Sequence, residues 1–130
     1  MSKSKEQAVR LDEEYKSLLR LFTDFCQQAS TLAEHYGFFG WPDYEDAPPH
    51  TRDFTLLGED RTLELHCHPG ANGELIGHIK VRDPRGQVHA ALSYRPQGAL
   101  LLETGHLLDD PSDLLLRLLL GAVYHEGRQG

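Results

Sequence analysis

Apolar residues recur along the first third of the chain at steps of four and three: Leu11, Tyr15, Leu18, Phe22, Phe25, Ala29, Leu32 and Tyr36. An α-helix turns once in 3.6 residues, so this spacing gathers the eight side chains into one stripe. It predicts a helix over residues 5–36, roughly 45 Å long at ~1.5 Å per residue. Ser4 and Gln7 read as a capping box at its start, and Gly37 as a left-handed terminator. Leu19, Cys26 and Ala33 widen the stripe, which gives the helix a face for its own sheet and one for a neighbour. Glu6/Arg10, Asp12/Lys16 and Arg20/Asp24 lie four apart on the wetted side. A seam this long outruns what a small sheet covers. Leu11, Tyr15, Leu18, Phe22 and Phe25 are therefore assigned to the interface of a homodimer.

The pattern breaks over residues 38–52, where Pro42, Pro48 and Pro49 stand among Phe38, Phe39, Gly40, Trp41 and Tyr44. Prolines this dense predict an irregular loop. The period then becomes two, with strand-like runs at 53–57, 61–68, 74–82, 87–94 and 99–104. Asp83-Pro84-Arg85-Gly86 and Arg95-Pro96-Gln97-Gly98 have the proline and glycine placement of tight turns. Connections this short make consecutive strands antiparallel neighbours. Alternation points Leu63, Leu65, Cys67, Leu75, Ile79, Val81, Val88, Ala90, Leu92 and Tyr94 to one face. Glu64, His66, His68, His78, Lys80, Arg82, His89 and Ser93 are sent to the other.

Asp110 as N-cap, Pro111 at the first helical position and Asp113 in the first turn open a second helix, over 110–126. Arg117 is the only charge between Leu114 and Val123, so that helix needs cover on more than one side. Together these elements predict one α+β domain spanning 1–130. It has a long N-terminal helix, a five-stranded antiparallel meander and a C-terminal helix, with both helices on one face of the sheet.

Composition narrows the function classes. A formal charge of −7 argues against nucleic acid as partner and favours a basic protein surface. No apolar run is long enough for a membrane span, and the first residues carry no secretory pattern, which places the chain in the cytoplasm. Cys26 and Cys67 sit at apolar positions and read as buried thiols of a reducing compartment.

The candidate chemistry is sparse. His66 and His68 share a strand face with His78 across the hairpin, a possible set of metal ligands beside Glu64. A symmetric loop at 69–73 would set Glu64 opposite His78 and His66 opposite Ile76. Lys80 and Arg82 share that face and repel a cation, so no metal or cofactor is assigned. Ser93 can be drawn with His78 or His89, but no strained nucleophile turn surrounds it. Trp41, Asp43, Tyr44, Glu45 and Asp46 join aromatic anchors to acids in an irregular segment, a composition suited to gripping a basic partner. The sequence thus points to a non-enzymatic binding protein of bacterial type: an adaptor, a chaperone or an immunity-like inhibitor. The alternative is a metal- or small-ligand-binding protein that uses the histidine face.

Overall fold

The computed structural model describes residues 2–42 and 48–125. Helix α1 (Lys3–His35) is followed by strands β1 (Phe39–Gly40), β2 (Thr51–Leu56), β3 (Glu59–Pro69), β4 (Leu75–Arg82) and β5 (Val88–Tyr94), and by helix α2 (Pro111–His125). The strands form a single antiparallel sheet in the order β1-β2-β3-β4-β5. This is the α+β arrangement expected from the hydrophobic pattern.

Several details differ from the sequence reading. Helix α1 starts before Ser4, so Ser4 lies inside it and Ser2 takes the N-cap position without a side-chain cap bond. The helix ends because Tyr36 turns extended (φ −126°) while its N–H still donates to the Leu32 carbonyl; Gly37 does not take a left-handed conformation. Strand β1 lies in the stretch expected to be irregular. Phe39 is buried there, and Gly40 passes so close to the Thr55 hydroxyl that a Cβ would sit 2.7 Å from it. The prolines, at 42, 48 and 49, all lie outside this two-residue strand and do not bar it.

The run 99–104 is not a strand. Its chain makes isolated bridges, Tyr94 with Leu100 and Ala99 with His106. Leu102 (φ 68°) and Gly105 (φ 126°) then carry it off the sheet. The two proline turns do form: Gly86 and Gly98 take positive φ, and their N–H groups donate to Asp83 O and Arg95 O. Strand β5 also contains a bulge, with Val81 opposite Ala90 and Arg82 opposite Val88. The extra residue is His89, and the irregularity turns its ring inward against the alternation. It is buried, and its Nε2–H donates to Asp83 Oδ2 at 2.8 Å.

The core lies between the sheet and both helices. Leu18, Phe22, Phe25, Leu63, Ile79, Val81, Leu115 and Leu119 are its fully enclosed aliphatic and aromatic side chains, together with Tyr94 and Leu107. The Tyr94 hydroxyl donates to the Leu18 carbonyl at 2.6 Å, which ties β5 to α1. Gly77 makes that contact possible, because a Cβ there would meet the Tyr94 ring at 2.9 Å and Leu18 at 3.1 Å. Leu18, Phe22 and Phe25 were assigned to a dimer interface, and they have no surface left for one: each is fully buried within its own chain. Of the five assigned residues, Leu11 and Tyr15 are the exposed ones.

Asp110 caps α2 as expected, accepting the Asp113 N–H at 3.1 Å. Leu114, Leu115, Leu118, Leu119 and Ala122 face the core, while Leu120 and Tyr124 remain exposed. The apolar excess of α2 is therefore only partly used within the chain.

Candidate functional site

Three surfaces bear on function: the polar face of the sheet, the segment around Trp41, and a groove where α2 meets β5.

On the polar face, the β3–β4 loop begins one residue later than symmetry at 69–73 implies, because Pro69 still pairs with Leu75. The register therefore moves by two. His66 lies opposite His78, Glu64 opposite Lys80 and His68 opposite Ile76. The three imidazoles come together: the His66 and His68 rings stack at 6.4 Å, and those of His68 and His78 are 5.9 Å apart. One nitrogen each of His66 and His78 is already engaged, however. His66 Nε2–H donates to Glu64 Oε2 at 2.7 Å, and Arg82 Nε donates to the same oxygen at 2.6 Å. His78 Nδ1 shares a 2.7 Å hydrogen bond with Ser93 Oγ. Among the described residues, no three His, Cys, Asp or Glu side chains gather so as to hold a metal ion.

Electrostatics on this face follow from these contacts. Partial burial alone would raise the Glu64 carboxyl, but the hydrogen bonds from His66 and Arg82 outweigh it and leave the group below its ordinary value. Burial lowers His78, and the charges of His68, Lys80 and His66 push it the same way. Ser93 and His78 do meet, as one drawing of a nucleophile would have them. Among the described residues, no carboxylate hydrogen bonds to the His78 ring, and Ser93 lies in extended backbone of β5, away from its bulge and without positive φ. The thiols are equally quiet, since burial pushes Cys26 up to about 12 and Cys67 to about 11.

Around the second surface, Trp41 is half-buried, with its ring centroid 5.3 Å from that of Phe54. At least part of the indole is thus committed to the core rim. Asp43, Tyr44, Glu45 and Asp46 lie outside the described residues.

The groove was not foreseen from sequence. It encloses about 670 Å³ and is lined by the consecutive β5 residues His89, Ala90, Ala91, Leu92 and Ser93. Leu114, Arg117, Leu118 and Gly121 of α2 form one further wall, and residues 100–103 another. Strand β5 is the last of the sheet; on its outer edge Leu101 N–H donates to Ser93 O at 3.0 Å, and among the described residues Ala91 has no backbone partner there. Antiparallel pairing alternates inward and outward residues, so Ala91 presents its N–H and C=O on the same outer side as Ser93. Arg117 and Glu103 pair across the mouth at 3.0 Å, both well exposed. The only hint in the sequence was an α2 with too little polar surface. The run of alternating residues at 99–104 concealed the rest, because it looked like the strand that would close this edge.

Comparison of the chain with protein-family models, with curated proteins and with solved structures gives no significant match.

Proposed function

We propose that this is a non-enzymatic protein-binding module, an adaptor or chaperone-like protein, which takes up an extended segment of a partner along the β5 edge. The observation that carries the reading is the groove itself. It sets an incompletely paired strand edge beside an apolar helix wall, the combination used in strand addition. An incoming strand would find main-chain partners at Ala91 and lodge alternate apolar side chains against Leu114, Leu118 and Gly121. The stretch centred on Ala91 is short, about three residues or ~10 Å at ~3.3 Å per residue, which suits a brief linear motif. The acidic balance of the chain, −7 overall, favours a motif with basic neighbours. Thiols raised by burial and a serine in extended backbone favour binding over turnover.

Selection from a displayed library of linear decapeptides tests the reading. Binders are expected to carry alternating apolar residues and to slow amide exchange at Ala91. Gly121→Leu fills the groove from the helix side, where the nearest side chain to a new Cβ is Ala90 at 3.7 Å. That variant should lose at least tenfold in affinity while its melting temperature holds or rises, since glycine is a poor helix residue. Binders that tolerate Gly121→Leu, or a selection that enriches nothing, would discard the proposal.

A further inference from the structure

Among the described residues, nothing buries an apolar side chain of the first half of α1. Every buried residue of the helix lies at Leu18 or beyond, so Lys3 to Ser17 extends past the core for about 22 Å at ~1.5 Å per residue. This half is still amphipathic. Leu11, 50% exposed, and Tyr15, 39% exposed, continue in phase the stripe that Leu18, Phe22, Phe25 and Ala29 bury. In heptad terms Ala8, Tyr15, Phe22 and Ala29 occupy a, while Leu11, Leu18, Phe25 and Leu32 occupy d. A helix this short is marginal in water without a partner for its apolar face.

Charge indicates the occupant. Lys3, Lys5 and Arg10, against the one acid Glu6, lie in the first part of the projecting half, and Asp12, Glu13 and Glu14, against the one base Lys16, toward its end. Two copies side by side in parallel would bring the acids together. Two copies antiparallel, with Leu11 of each packed on Ala8 of the other, bring Lys5 beside the second copy's Asp12. Both residues occupy e positions, which face each other in an antiparallel pair. The contact occurs twice by symmetry, as an isologous interface requires. Asp12 already contacts Lys16 of its own helix at 2.7 Å, but that pair is well exposed and contributes little, so it yields or shares readily. We propose that the protein self-associates through antiparallel pairing of the projecting halves of α1, with Leu11 at the centre and reciprocal Lys5–Asp12 ion pairs on the flanks. The pairing is independent of the β5 groove.

Sedimentation of the full chain at micromolar concentration gives the test. Wild type is expected to be a dimer that weakens as salt rises. Lys5→Glu and Asp12→Lys should each weaken it at least tenfold, because each sets like charges together at both contacts. Mixing the two single variants restores opposite charges at both contacts and should restore dimer, as should both changes in one chain. Leu11→Asp should give a monomer that keeps the melting temperature of the sheet-packed core at high dilution and loses helical circular dichroism over the projecting half at most, which separates lost pairing from lost folding. A wild type that stays monomeric to about 100 µM would overturn the proposal. So would a dimer that survives Leu11→Asp, or single variants that are not rescued by mixing, since either would place the contact on another face.

Discussion

Leu57 lies where its side chain is least welcome. It joins Gly58 in the two-residue turn between β2 and β3, and both take positive φ, 53° and 80°. A branched side chain in that conformation is strained by its own Cβ, and Leu57 recovers nothing by packing because it is 62% exposed. Turns with two positive φ values favour Asn-Gly. Leu57→Asn is therefore expected to raise stability by about 1 kcal/mol, visible as a few degrees in the melting temperature. An unchanged or lower melting temperature would show that the turn is held by its strands alone. Gly77 presents the reverse case, a residue defined by what it lacks. Nothing in the period-two pattern distinguishes it from a weak strand position, yet it accommodates the Tyr94 ring and the Leu18 side chain together.

At the scale of elements, β3 and β4 carry a polar face whose charge state is linked to stability. His78 has its folded pKa below the ordinary 6.5, so on acidification the unfolded chain takes up the proton first. Its contribution is present above the unfolded value and is lost as pH falls from about 6.5 through the folded value. Glu64 and Asp83 are also depressed, Asp83 chiefly by the hydrogen bond from His89. Their contributions persist to lower pH and are lost as it falls below the usual carboxylate values. Thermal melts should thus decline in two stages, and His78→Gln should flatten the stage that begins as pH falls below about 6.5 while leaving the more acidic one. A first stage that survives the substitution would assign it to other histidines.

Elements were also the scale at which the sequence was most legible. Long periodic runs marked α1, α2 and strands β2 to β5, and the glycines of both proline turns marked two turns, of which the first closes the β4–β5 hairpin. Register was less legible, because the His66–His78 pairing depends on one extra residue of pairing at Pro69 that composition does not encode. The bulge at His89 was hidden for the same reason. Its signal is a hydrogen bond to Asp83, six residues away in sequence and across a turn. The groove was the least legible feature, since it requires knowing that residues 99–104 depart from the edge they begin to cover.

For the whole molecule, the contact between Tyr94 and Leu18 joins residues 76 positions apart, while the strands between them pair through local hairpins. Local contacts are cheap to form early, and closing the long loop comes later. Docking of α1 should then follow the rate-limiting step. Phe25→Ala, which empties a fully buried site at about 3–5 kcal/mol, is expected to speed unfolding by two orders of magnitude or more and to change the folding rate less than about tenfold in stopped-flow traces. A folding rate that collapses instead would put α1 in the nucleus. The same separation acts on the ribosome, where α1 is made before the strands that cover it. At about 5–20 residues per second, Leu18 waits roughly 4–15 s for Tyr94 to be synthesised. During that interval the stripe from Leu11 to Leu32 becomes available, residue by residue as it emerges, to neighbouring nascent chains or chaperones. The completed sheet then claims the stripe from Leu18 onward.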